Sequence, residues 1–303
     1  MTVTERQAAP PISVAFIGLG VMGLPMAANL ARGGHSVRGY DASPAAVEAA
    51  SKFAIATASS IADAVGDADA VVTMLPNGAV VDEVVRGENG IAARMRDDAL
   101  YIDMSTIAPH ETDAIAKLFA IRGIAMVDAP VARSSKEAWE GKLLVMVGGD
   151  ATAVARAKPL LDLMADAVME CGALGSGIRM KLVNNYMSLT INVVTAEALA
   201  MAERSGVSRD IAYGVMSRTV AGKGHLTTTY PAKAFKGDLE PGFMIDLARK
   251  DLGLILAMAN AVNIPGETAG AALRVYDRAS QNGRGQQDHT AIYDMCLKGG
   301  PWK

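Results

Sequence analysis

The chain has 303 residues, 50% apolar and 20% charged, which is long enough for two domains with separate cores. Its formal net charge of −3 leaves no basic field for nucleic acid or anionic lipid, and no stretch reaches the roughly 18 uninterrupted apolar residues of a membrane span. The two cysteines, Cys171 and Cys296, have neither CxxC nor metal-ligand spacing, so reduced thiols, no metal and a cytoplasmic location are expected.

Residues 1–11 are polar, lack the apolar stretch of a secretory signal and read as a disordered lead-in. Ile12 to Gly18 is an apolar run ending in glycines, a buried parallel strand. A helix is predicted over Met22 to Arg32, stopped by Gly33-Gly34. A second strand runs from Val37 to Tyr40, and Pro44 opens a helix through Ala50. Further strands are predicted at Ala70–Leu75, Leu100–Asp103, Ala125–Val127 and Leu143–Val147, with a helix over Pro109–Arg122. Strands alternating with helices predict a doubly wound, mainly parallel α/β sheet over residues 12–175. From there the pattern is helical: Ile178–Ser205, Asp210–Ser217, Met244–Ala261 and Thr268–Gln281. An all-α domain over residues 176–303, entered through one long helix, follows.

Gly18-Leu19-Gly20-Val21-Met22-Gly23 fits G-x-G-x-x-G between a strand and a helix. The first glycine makes the tight turn, the second lets backbone approach a pyrophosphate, and the third packs helix on strand. Pyrophosphate then rests on the positive end of the helix. Asp41, 18 residues past Gly23, closes the next strand, where a carboxylate can hold both ribose hydroxyls and repel a 2′-phosphate. Ala42 and Ser43 follow it, with no arginine, so NAD (NADH) is expected over NADP. Asp41 is also placed to cap the helix after Pro44.

Lys181, Asn184, Asn185 and Ser188 stand at i, i+3, i+4 and i+7, one face of a helix that is otherwise nearly all apolar from Leu182 to Met201. That pattern predicts a buried helix presenting a polar strip to a cleft. A lysine beside two amides can donate a proton and hold an oxygen. The same residues also allow Lys181 to snorkel to water while the asparagines bond neighbouring backbone.

Ile17 to Asn29, Asp103-Met104-Ser105-Thr106, Asp128-Ala129-Pro130-Val131, Gly172 to Asn185 and Lys250-Asp251-Leu252-Gly253 stand in order. With these motifs the sequence resembles the β-hydroxyacid dehydrogenase family over nearly the whole chain after Pro11. The resemblance implies a Rossmann domain and a helical domain with the active site between them. It implies Lys181 as catalytic acid/base and Asn185 as the amide that orients the substrate. It places Lys250 near nicotinamide and substrate, Thr106, Leu75 and Pro76 along the nicotinamide, and Ser105 beside the substrate. It also implies assembly as a homodimer or homotetramer through the helical domain.

The family's Asp-Ala-Pro-Val is usually followed by Ser-Gly-Gly, whereas here Ala132-Arg133-Ser134-Ser135 follows. A guanidinium replaces a glycine where the substrate anion is held, and its planar fork suits a strong oxyanion. Together with Asn184-Asn185-Tyr186-Met187-Ser188 and Ala221-Gly222-Lys223-Gly224-His225, this is similar to the branch of the family that reduces 3-sulfolactaldehyde with NADH. Arg133 would then read the sulfonate, with Ser134, Asn184 and Ser188 completing the contacts. Arg133 can also pair with Glu137 or Glu140. The alternatives are a carboxylate substrate (3-hydroxyisobutyrate, tartronate semialdehyde or 4-hydroxybutyrate), a non-catalytic NAD-binding regulator, and an imine reductase, which Lys181 disfavours. Asp246 and Asp251 are expected to position Lys250 by charge pairing. His225 is expected to have a structural role, and Trp139 and Trp302 to pack or meet an interface.

Overall fold

The computed structural model describes residues 10–298. Most of the lead-in expected over 1–11, and Trp302, lie outside the described residues; Pro10 and Pro11 precede the first strand in no regular element. The chain divides into two compact units, the first ending at Asn185 and the second starting at Tyr186. The sequence places the division at residues 175 and 176, where the long helix begins. The first three turns of that helix instead belong to the first unit.

The first unit runs β1 (Ser13–Ile17), α1 (Gly23–Arg32), β2 (Ser36–Tyr40), α2 (Pro44–Ala50), β3 (Ala56–Thr57), α3 (Ile61–Val65), β4 (Ala70–Thr73) and α4 (Gly78–Arg86). Then come α5 (Ile91–Arg94), β5 (Leu100–Asp103), α6 (Pro109–Ile121), β6 (Ala125–Asp128), β7 (Val131–Ala132) and α7 (Ser135–Trp139). It closes with β8 (Leu143–Gly148), α8 (Ala151–Met164) and β9 (Ala165–Gly172), before the start of α9 (Ser176–Arg204). The strands form one sheet in the order β3-β2-β1-β4-β5-β6-β8-β7, with β9 on β8. β1 to β6 pair in parallel, and β8 runs antiparallel to β6 and β7. This is the doubly wound sheet expected from the sequence.

The two-residue period of the strands explains the double winding. Val14, Phe16, Val72 and Ile102 face one core, whereas Ala15, Ile17, Val71 and Tyr101 face the other. Strands apolar on both faces require helices on both sides. The elements absent from the sequence prediction are mostly short or carry a mixed signal. α8 contains Pro159, which removes a helix hydrogen bond, but Asp150 caps its start through the amides of Thr152 and Ala153.

The second unit holds the rest of α9 with α10 (Arg209–Met216), α11 (Val220–Lys223), α12 (Thr229–Ala232), α13 (Ile245–Ala261), α14 (Glu267–Ala279) and α15 (Ile292–Lys298). Among the described residues it contains no strand, as expected. Ile245, Ala279 and Ala291 form its buried centre. Buried Asp288 fastens the segment before α13 by accepting from the amides of Gly242 (2.9 Å) and Phe243 (3.2 Å). The prediction of a buried long helix is corrected: Val183, Tyr186, Leu189, Ile191 and Val193 of α9 are exposed in the single chain. An apolar run signals that something covers it, not that the same chain does so. No described helix is long and apolar enough to cross a membrane.

Candidate active site

The glycine loop has the division of labour expected of it. Gly18 has φ +99°, where a side chain is strained, and a Cβ there would collide with the Met74 carbonyl. A Cβ on Gly23 would strike the Gly18 carbonyl, so this glycine serves close packing. A Cβ on Gly20 would meet nothing within 4 Å, which marks the open side of the loop. The start of α1 has no side-chain cap, so its amides can receive an anion. Leu19 is buried, whereas Val21 is exposed. Asp41 accepts from the Leu19 amide at 2.7 Å and from the Ser43 amide at 2.8 Å. The acid is therefore part of the loop's own scaffold; Ser43, not Asp41, occupies the cap position of α2. Open Gly20, the uncapped helix start and the carboxylate at the end of β2 together fit an adenine dinucleotide.

The adjacent strand ends carry a polar row. Thr73, Asp103 and Asp128 stand in register at the ends of β4, β5 and β6. Asp103 accepts from the Thr73 hydroxyl at 2.9 Å and from the Ser105 amide at 3.0 Å. Burial raises its carboxyl to about 6, against these hydrogen bonds. Ser105 is buried and its hydroxyl accepts from the Leu75 amide at 3.0 Å, so it joins two strand-end loops. Leu75 is half-buried, whereas Pro76 and Thr106 are exposed on the same loops.

Lys181 is half-buried on α9, and burial lowers the pKa of its ammonium. Asn185 is half-buried and Asn184 exposed, with a long contact of 3.5 Å between their side chains. Ser188, beyond the division, is exposed. Lys250 is exposed on α13 and pairs with Asp251 at 2.9 Å. Asp246 does not pair with Lys250: it accepts from the Ser280 hydroxyl at 2.6 Å and lies 3.6 Å from Arg249. His225 lies 2.6 Å from the Thr229 hydroxyl and stacks edge-on with His289, in keeping with a structural role. Trp139 packs on Phe53.

The loop after β6 departs from expectation. Arg133 donates through Nη1 to both carboxylate oxygens of Asp166, and to the carbonyl of Lys142. The partners anticipated from sequence are taken: Glu137 accepts from the Ser134 hydroxyl, and Glu140 pairs with Lys142. Ser134 caps α7 in a capping box with Glu137, so its hydroxyl is committed to the helix start. No hydrogen bond of Arg133 reaches Ser105, Lys181 or Asn185 among the described residues. The structure thus brings the glycine loop, Asp41, Leu75 and Ser105 into one framework but leaves Arg133 paired elsewhere. It also adds Asp103 and Asp128, whose sequence signal is an aspartate closing each of two consecutive apolar strands.

Residues 13–175 match the family described as the NAD binding domain of 6-phosphogluconate dehydrogenase, and residues 175–296 match that described as NAD-binding of NADP-dependent 3-hydroxyisobutyrate dehydrogenase. The chain is 46% identical over 283 residues to 3-sulfolactaldehyde reductase of Escherichia coli K12, covering 93% of this chain and 95% of that protein. The chain belongs to the β-hydroxyacid dehydrogenase family. Such a dehydrogenase is a nicotinamide-dependent oxidoreductase, in accord with the glycine loop. A probable 3-hydroxyisobutyrate dehydrogenase of Mycobacterium tuberculosis is 37% identical over 263 residues, covering 85% of this chain and 87% of that protein. A solved 3-hydroxyisobutyrate dehydrogenase of that organism, with L-serine, has a TM-score of 0.68 and 33% identity, covering 95% of this chain and 99% of that one. An imine reductase of Myxococcus stipitatus reaches a TM-score of 0.87 at 16% identity over 95% of this chain and 100% of that one, a likeness of fold alone.

Proposed function

We propose that this dehydrogenase reduces 3-sulfolactaldehyde to 2,3-dihydroxypropane-1-sulfonate with NADH, reversibly, with Lys181 as general acid. The observation that carries the reading is the half-buried Lys181 on the polar strip of α9, in a chain 46% identical to a 3-sulfolactaldehyde reductase. Gly18, Leu19, Gly20, Val21, Met22, Gly23 and Asp41 would hold the dinucleotide, and Leu75, Pro76, Thr106 and Lys250 its nicotinamide end. A bound dihydronicotinamide supplies a hydride to the carbonyl carbon. Protonated Lys181 stabilises the negative charge that develops on the carbonyl oxygen and gives that oxygen its proton. Burial brings its pKa down from ~10.4 toward neutral pH, which eases that transfer. Asn185 orients the substrate oxygen, and Ser105, Asn184, Ser188 and Lys250 complete the proposed substrate contacts, while the Ser134 hydroxyl stays with the start of α7. Asp41 favours NAD over NADP because its carboxylate would oppose a 2′-phosphate.

Arg133 is proposed to read the sulfonate by exchanging Asp166 for the substrate. The exchange is easy, because solvent screens an exposed ion pair and it holds its partners weakly. Its backbone φ of +82° at a non-glycine residue also supports a functional role, since such strain collects at sites that use it. The pairing with Asp166 equally favours a second reading, in which Arg133 is structural and the substrate is a carboxylated aldehyde. The test is oxidation of NADH and NADPH with a panel of sulfonated and carboxylated aldehydes. Turnover confined to the carboxylates selects the second reading, and no turnover with any aldehyde overturns both. We also propose a homodimer or homotetramer. The apolar groove of the second unit between α9, α13 and α14, lined by Val194, Met201, Leu252, Ile255 and Met258, is of the kind a second copy covers.

A further inference from the structure

We infer that Asp128 is a positioning residue for the reaction: its buried carboxylate holds the first turn of α9 at the end of β6 and thereby sets where Lys181 presents its amine. The inference rests on the reading of Lys181 as general acid. Asp128 is 2% exposed. One carboxylate oxygen accepts from the Gly175 amide at 2.6 Å and the other from the Ile178 amide at 2.7 Å. Both bonds are short and charge-assisted, and the carboxylate sits at the positive end of a 29-residue helix.

The surrounding backbone is shaped to allow this seat. A Cβ on Gly177 would collide with the Met146 carbonyl, and one on Gly148 would meet the Asp128 carboxylate at 2.5 Å. The Gly149 amide donates to the Gly172 carbonyl at 3.0 Å, which fixes the chain just before the helix. On the outside of the same turn, Arg179 pairs with Asp113 of α6 at 2.8 Å, a second and exposed tether. Lys181 lies three residues beyond Ile178, a rise of about 4.5 Å along the axis. Asp128 makes no hydrogen bond to Lys181 and acts through the helix. A reacting group displaced by 1 Å can lose on the order of 100-fold in rate.

The test compares Asp128→Asn, Asp128→Ser, Arg179→Gln and Lys181→Ala with the unaltered full-length enzyme, using 3-sulfolactaldehyde and NADH. Asn presents an N–H donor to one of the two amides, and Ser keeps one acceptor. The expected result for both Asp128 variants is a kcat lower by roughly 30-fold or more with the KM for NADH within about threefold. The isotope effect with 4-deuterated NADH should rise as chemistry becomes rate-limiting, which a merely looser fold would not produce. Arg179→Gln should lower kcat by about threefold with the same signature. Folded Asp128 variants with unaltered kcat and isotope effect, beside an inactive Lys181→Ala, overturn the positioning role alone. Should neither Asp128 variant fold, an unaltered kcat and isotope effect in Arg179→Gln does the same. An active Lys181→Ala removes the reading of Lys181 itself and this inference with it.

Discussion

Arg133 Nη1 lies 2.7 and 2.8 Å from the two carboxylate oxygens of Asp166, a residue 33 positions further along the chain. If substrate must displace that carboxylate, removing its charge eases binding. Asp166→Asn is expected to lower the KM for a sulfonated aldehyde up to about fivefold, the modest effect of a solvent-screened pair. A raised KM would mean that Asp166 orients Arg133 instead of competing for it.

The backbone at Arg133 separates stability from function. Its φ of +82° is relieved by glycine but retained by alanine. Both substitutions lose the Asp166 pair, so Arg133→Gly should be more stable than Arg133→Ala by about 1 kcal/mol in urea unfolding. Both should lose activity on the sulfonated substrate alike. Equal stability of the two variants would show that the strain is relieved elsewhere in the loop.

Asp103 makes stability depend on pH in the sense opposite to an ion-paired carboxylate. Its folded value of about 6 lies above the ordinary 3.8, so the folded state binds the proton more tightly. Its contribution is therefore most favourable below pH 4 and declines as pH rises from 4 through 6, by on the order of 3 kcal/mol. Asp103→Asn keeps an oxygen for the Thr73 hydroxyl and the Ser105 amide. Relative to the parent, it should gain thermal stability between pH 4 and about 6 and level off above that. A constant difference across that range would refute the assignment.

Burial lowers the pKa of Lys181, and the proposed role as general acid requires its protonated form. The rate of aldehyde reduction should fall as pH rises through that lowered pKa, while alcohol oxidation rises. Lys181→Ala should lose at least about 100-fold in kcat and lose the pH dependence with it.

Asp41 accepts from the Leu19 and Ser43 amides on different oxygens, so Asn keeps one of the two bonds and turns an N–H toward the other amide. Asp41→Asn should therefore loosen the glycine loop as well as remove the charge. It should raise the KM for NADH about tenfold or more, because a charged hydrogen bond contributes ~1.5–3 kcal/mol, and narrow the preference over NADPH. An unchanged ratio of the two cofactors would remove Asp41 from the selection.

The amino-acid order by itself determined whatever depends on neighbours a few residues apart. The glycine spacing, the apolar runs of the strands, the acid closing β2 and the strip of period 3.6 from Lys181 to Ser188 all lie within short windows, and local backbone geometry reads them directly. Only the tertiary structure decided the partners. Asp128 meets Gly175 and Ile178 across 47 and 50 residues because β6 and β8 adjoin, and Arg133 meets Asp166 because β9 pairs with β8. Those meetings follow from strand order, and strand order follows from closing two hydrophobic cores at once, which no short window of sequence contains.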